Sequence, residues 1–182
     1  FGDSPYQPFS SFAGQPLIIA VDRLKVCNLL TDADFNNMPT WDPVDINYGE
    51  LIEFKTNLLK LAYSRFLDPE VKDTISSNEE LMTEYLTFCE ESTWLADYSL
   101  FMAAKDYNNG APWYLWEKSL KSPTAASKKE WTEKLADAMG YYNFIQFLFH
   151  KQWMGLKKYA NDNGIKIVGD IPIFVALDSV DV

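Results

Sequence analysis

At 182 residues the chain is long enough for one domain with a sizeable core. Its 26 acidic and 16 basic residues leave a formal charge of −10, which repels phosphate backbones and argues against nucleic acid as a partner. No apolar stretch reaches the length of a membrane span and no charged-then-apolar leader opens the chain, so membrane insertion and export are not expected.

Residues 1–16 hold three prolines, two glycines and three serines, a composition that cannot continue a helix or a central strand. The same stretch carries Tyr6, Phe9 and Phe12, so it reads as an ordered loop pinned by its aromatics. Leu17 to Val21 reads as a short strand or extended segment, and Asp22 as the cap of a helical turn through Leu29. Thr31-Asp32-Ala33-Asp34 opens another turn. Asn36 to Asn47, with two prolines and three asparagines, reads as a linker. Leu51, Phe54, Leu58, Leu61, Ala62 and Phe66 then keep the rhythm of an amphipathic helix, which Asp68-Pro69 breaks. A second helix starts at Ser77 or Asn78, runs past Phe88 and continues toward Trp94–Ala104, which is apolar nearly all round. Asn108-Asn109-Gly110 ends it. The Trp113/Trp116 stretch is loop-like. Helices follow over Lys128–Ala138 and about Tyr141–Asn161, the latter with Phe144, Phe147 or Leu148, Met154 and Leu156 facing inward. Asn163-Gly164 closes the last helix.

The segment after it, Lys166 to Val175, is an apolar run holding one carboxylate, Asp170. Such a run reads as a strand buried on both faces of a parallel sheet. A charge there is costly unless it is paired or faces water at the strand end, where ligands of α/β folds bind. Asp170 is therefore a candidate functional residue. The alternative is a carboxylate held by backbone amides near Pro172. Two strands cannot build a sheet covered on both faces, so the chain is expected to be a piece of a larger α/β protein with a long helical insertion. Cys27 and Cys89 lack CxxC or metal spacing and fit a reducing cytoplasm. The single His150, beside Phe147 and Met154 on a helix, reads as a packing residue rather than a catalytic one. The abundant aromatics are mostly core, and only a faint pointer to sugar stacking.

Five segments in order resemble the amylomaltases, the 4-α-glucanotransferases of the α-amylase clan (glycoside hydrolase family 77). They are Ser4-Pro5-Tyr6-Gln7-Pro8-Phe9-Ser10-Ser11-Phe12-Ala13-Gly14; Asn47-Tyr48-Gly49 with Phe54-Lys55; Asp97-Tyr98-Ser99-Leu100-Phe101-Met102-Ala103; Phe149-His150-Lys151-Gln152-Trp153; and Gly169-Asp170-Ile171-Pro172-Ile173-Phe174-Val175-Ala176 with Asp178-Ser179. The resemblance implies a partial (β/α)8 TIM barrel, from the loop after strand two through strand three, with a large helical insertion. On that reading residues 1–35 are a barrel βα loop with its short strand and helix. Residues 36–138 are the helical insertion, and 139–182 the barrel helix and strand three with its C-terminal loop. It further implies transfer of an α-1,4-glucan segment to the 4-hydroxyl of an acceptor sugar, with retention through a covalent glycosyl-enzyme. Asp170, Tyr6 and Ser4 match substrate-binding positions of the family. The nucleophile and the acid/base are expected after Val182, so the isolated piece is expected to be inactive. Maltooligosaccharides or other α-1,4-glucans are the implied partners, and no metal or organic cofactor is implied.

Other carboxylates have simpler readings. Glu79-Glu80, Glu90-Glu91 and Asp32/Asp34 lie in helical or capping contexts, and Asp178 is a runner-up that could cap a turn with Ser179. Trp113 and Trp116 read as packing rather than as an outer sugar site. The chain departs from the family pattern at Ile52, where an aromatic can serve a remote glucan site. It departs again at Asn47, where the usual aspartate is replaced but capping survives. The alternative function is a non-catalytic α-glucan-binding module of barrel descent.

Overall fold

A computed structural model of the protein describes residues 7–68, 76–170 and 174–182. Asn47 opens the first long helix, α1 (Tyr48–Leu67), with its side-chain oxygen accepting the Glu50 N–H at 3.3 Å. The capping expected of an asparagine at this place is thus made without the charge. The helix stops where Asp68 turns extended, next to Pro69. Helix α2 (Ser76–Glu91) follows. It does not run on into the next apolar stretch: a turn at Ser92–Trp94 intervenes, and α3 (Leu95–Tyr107) starts afresh. A 3₁₀ turn at Trp113–Leu115, a one-turn helix α4 (Lys118–Lys121) and α5 (Ala125–Lys134) come next. Thr124 and Ser127 cap α5 reciprocally. The longest helix, α6 (Ala136–Asp162), ends at Gly164, whose φ of +75° a residue with a Cβ adopts reluctantly.

The core lies where α6 crosses α1, α2 and α3. Phe144 is fully buried, with its ring 4.9 Å from Phe66 and 5.6 Å from Tyr63. Phe147 packs edge-on to Tyr85, and Phe88 covers it from α2. Helix α3 is as buried as its composition suggested, with Leu95, Tyr98, Ser99, Phe101, Ala103 and Ala104 inside. Cys27 and Cys89 are free thiols, half-buried, and burial pushes both above the usual thiol range. Among the described residues no helix is long and apolar enough to cross a membrane.

Several sequence expectations need correcting. The α/β sheet is not seen: the described residues contain no β-strand, and the architecture they form is helical. Leu17–Val21 spans the ends of two 3₁₀ turns, Pro16–Ile18 and Val21–Lys25, with Ile19 and Ala20 between them. Pro16 presets the first turn and the Gln15 side chain accepts the Leu17 N–H, which leaves only Ile19 and Ala20 extended, too short a segment for a strand. Asp22 sits inside the Val21–Lys25 turn, and Ala20 holds its N-cap position. Lys166–Asp170 forms no strand and is exposed, Val168 at 92%; Ile171–Ile173 lie outside the described residues. A strand exists only by pairing, and no described segment lies alongside to supply the ladder. For the same reason Met154 and Leu156, expected inward, are exposed: the cover given by the other helices ends near Phe149.

Candidate functional site

Helix α6 carries two glutamines, six residues apart, that clasp the opening loop. The Gly14 N–H donates to Gln146 Oε1 at 2.8 Å, and Gln146 Nε2 donates back to the Gly14 carbonyl at 2.9 Å. Gln152 repeats the arrangement with Ala20, at 2.8 and 3.1 Å. Each side-chain amide thus stands in for a strand's backbone, satisfying donor and acceptor of one loop residue. The fit is close: a Cβ on Gly14 would lie 2.0 Å from the Phe149 ring. Lys55 of α1 adds a third tie, donating to the Leu17 carbonyl at 2.5 Å, and burial pulls its ammonium below the usual lysine range. The loop's rings help as expected. Phe9 packs against Phe101 and Phe12 stacks on Trp94.

The loop then meets the end of the chain. The Val180 N–H donates to the Phe9 carbonyl at 2.9 Å, and the Ser11 N–H and hydroxyl both donate to Asp181 Oδ2, at 2.6 and 2.9 Å. Behind this junction Lys105, at 8% exposure, points its ammonium at Asp178 Oδ2, 2.5 Å away. The other oxygen, Oδ1, accepts the Trp113 N–H at 3.1 Å, and the Trp113 indole N–H donates to the Leu177 carbonyl at 2.6 Å. Residues distant in sequence therefore converge: the opening loop, the end of α3, the Trp113 turn and Leu177–Asp181.

Of the three expected sugar-binding residues, Ser4 and Tyr6 lie outside the described residues. Asp170 is exposed in the stretch after α6. Asp178 is no turn cap with Ser179 but the partner of Lys105. Trp113 is half-buried in this junction and Trp116 is buried with its indole N–H on the Ala111 carbonyl, so both pack. His150 lies on the surface of α6 with its ring 5.0 Å from Phe88. Asp34 is held by a bidentate Arg65 fork and by Thr31, which together keep its carboxyl well below the usual range. A groove lined by Asn37, Glu53, Phe54 and Asn57 contains none of the expected sugar residues. No group of three or more His, Cys, Asp or Glu among the described residues could hold a metal ion. Lys105, Gln146 and Gln152 were not singled out from sequence. Gln146 alone had a usable signal, a polar residue inside Phe144-Ile145-Gln146-Phe147-Leu148.

The family described as 4-alpha-glucanotransferase (glycoside hydrolase 77) matches residues 2–182. The chain belongs to the 4-alpha-glucanotransferase family. Two family members with this name are similar over the whole chain: one from Synechocystis sp. is 38% identical and one from Clostridium butyricum 39%. The chain covers 35% and 36% of them, so it spans about a third of the length of these relatives. An amylomaltase from Streptococcus agalactiae, solved in complex with acarbose, superposes with a TM-score of 0.87 at 33% identity. That match takes in all of this chain and 35% of the other.

Proposed function

We propose that the chain is the part of a 4-α-glucanotransferase that grips the glucan beside the cleavage point. In this reading residues 1–35 and 139–182 belong to a (β/α)8 barrel and 36–138 form the helical insertion next to the cleft. The observation that carries it is the family match over residues 2–182, together with the likeness to an amylomaltase solved with a sugar analogue.

The reaction needs two carboxyl groups about 5 Å apart, one attacking the anomeric carbon and one protonating the departing oxygen. These come from other segments of the enzyme. The share of this chain is binding. Asp170 accepts hydrogen bonds from sugar hydroxyls, and its charge favours the oxocarbenium-like transition state. Tyr6 stacks on the ring and Ser4 lines the cleft. The clasp of the loop by Gln146 and Gln152 supports this assignment, because it gives the residues just before it a fixed base. The substrate is a maltooligosaccharide or another α-1,4-glucan, and the compartment the cytoplasm.

The test is disproportionation by the full-length protein that carries this chain. Two maltotriose molecules should give glucose and maltopentaose. Asp170→Asn should lower the rate at least about a hundredfold with an unchanged circular dichroism spectrum. Wild-type protein that binds maltodextrins without turning them over would favour the non-catalytic binding module instead.

A further inference from the structure

We propose that Lys105 is a positioning residue for the glucan site, acting through its ion pair with Asp178. This rests on the function proposed above. Lys105 ends an apolar stretch of α3, and a lysine near a helix C-terminus ordinarily keeps its head in water. Here the ammonium turns inward. It is the one charged residue among the buried ones described, with 2.5 Å to Asp178 Oδ2 and 4.8 Å to the Phe9 ring centre. A buried charge is costly unless paired, and this one is met by a carboxylate and by a ring face.

The partners belong to the two segments that carry the proposed sugar contacts. Phe9 lies three residues after Tyr6, a reach of at most about 11 Å. Asp178 lies on the same stretch as Asp170, eight residues further on. The Val180–Phe9 and Ser11–Asp181 hydrogen bonds join the two segments directly, and Lys105 holds both from beneath. Its removal loosens loop and tail where they meet, at Phe9 and Asp178, while the amide clasps still hold the loop further on at Gly14 and Ala20. It leaves the aromatic core at Phe144 intact, so substrate grip should suffer more than the fold.

The experiment uses the full-length protein and measures maltotriose turnover together with maltoheptaose affinity by calorimetry. Lys105→Met keeps most of the stem and removes the charge. Asp178→Asn keeps the volume and the Trp113 bond, and stands in if the first variant fails to fold. Both should raise KM and Kd about tenfold while kcat stays within about threefold, since a binding contact is loosened. Lys105→Arg should recover most of the loss. Arg65→Met, which breaks the distant pair with Asp34, serves as the control and should leave KM unchanged. Wild-type KM and Kd in Lys105→Met or Asp178→Asn would overturn the proposal, and so would an equal rise in Arg65→Met. Wild-type that binds but does not turn over sugar refutes the transferase reading alone, and Kd still decides the role of Lys105. Wild-type that neither binds nor reacts refutes both.

Discussion

The amide clasp gives a sharp prediction at Gln146. Replacing it with leucine keeps the approximate volume and removes both hydrogen bonds to Gly14. Each is worth about 1 kcal/mol net, and the part-buried Gly14 groups left without a partner add up to about 2 kcal/mol. Gln146 is 1% exposed, so water cannot readily replace it, and the loop should lose about 2–4 kcal/mol of local stability. That corresponds to a rise of about 30-fold to 1000-fold in the opening equilibrium at Gly14. Amide hydrogen exchange under native conditions reads this directly, because the Gly14 N–H is the donor. Gln152→Leu is the comparison. Its side chain is only half-buried, so Ala20 can find water, and protection there should fall by about tenfold or less. Unchanged Gly14 protection in Gln146→Leu would refute the clasp and leave the aromatic rings and Lys55 as what holds the loop.

Three further outcomes follow from the packing and charge. Gly14→Ala places a methyl 2.0 Å from the Phe149 ring and should cost about 1–3 kcal/mol in chemical denaturation, recovered in part when combined with Phe149→Leu. Phe144→Ala empties the centre of the helical core and should cost about 3–5 kcal/mol, measured the same way. The Asp34 carboxyl is depressed by Arg65 when folded, so its contribution is complete above the ordinary value of 3.8 and is lost as pH falls. Asp34→Asn should therefore be less stable than wild type at pH 6, with the gap closing on acidification below about pH 4 in pH-dependent thermal melts.

The helices were legible because their signals are local. Apolar residues at 3.6 spacing, Asn47 as a cap, and Asn163-Gly164 as a stop act within a few residues of themselves. Family membership was legible too, since it rests on ordered motifs and not on contacts. The run around Asp170 misled on local state: its apolar, β-branched composition says what it can pair with, and pairing needs a neighbour. Gln152 and Lys105 look like surface residues in one dimension. Their partners, Ala20 and Asp178, lie 132 and 73 positions away.

Sequence alone determined the helical periods, the stops at Asp68 and Gly164, the acidic charge and the kinship with glucan-transferring enzymes. Tertiary structure decided which polar side chains turn inward and what they hold: Gln146 on Gly14, Gln152 on Ala20, Lys105 between Phe9 and Asp178. The physical reason is range. Backbone preference acts over a helical turn, whereas the worth of a buried charge or amide depends on the group facing it, and only the folded chain brings that group near.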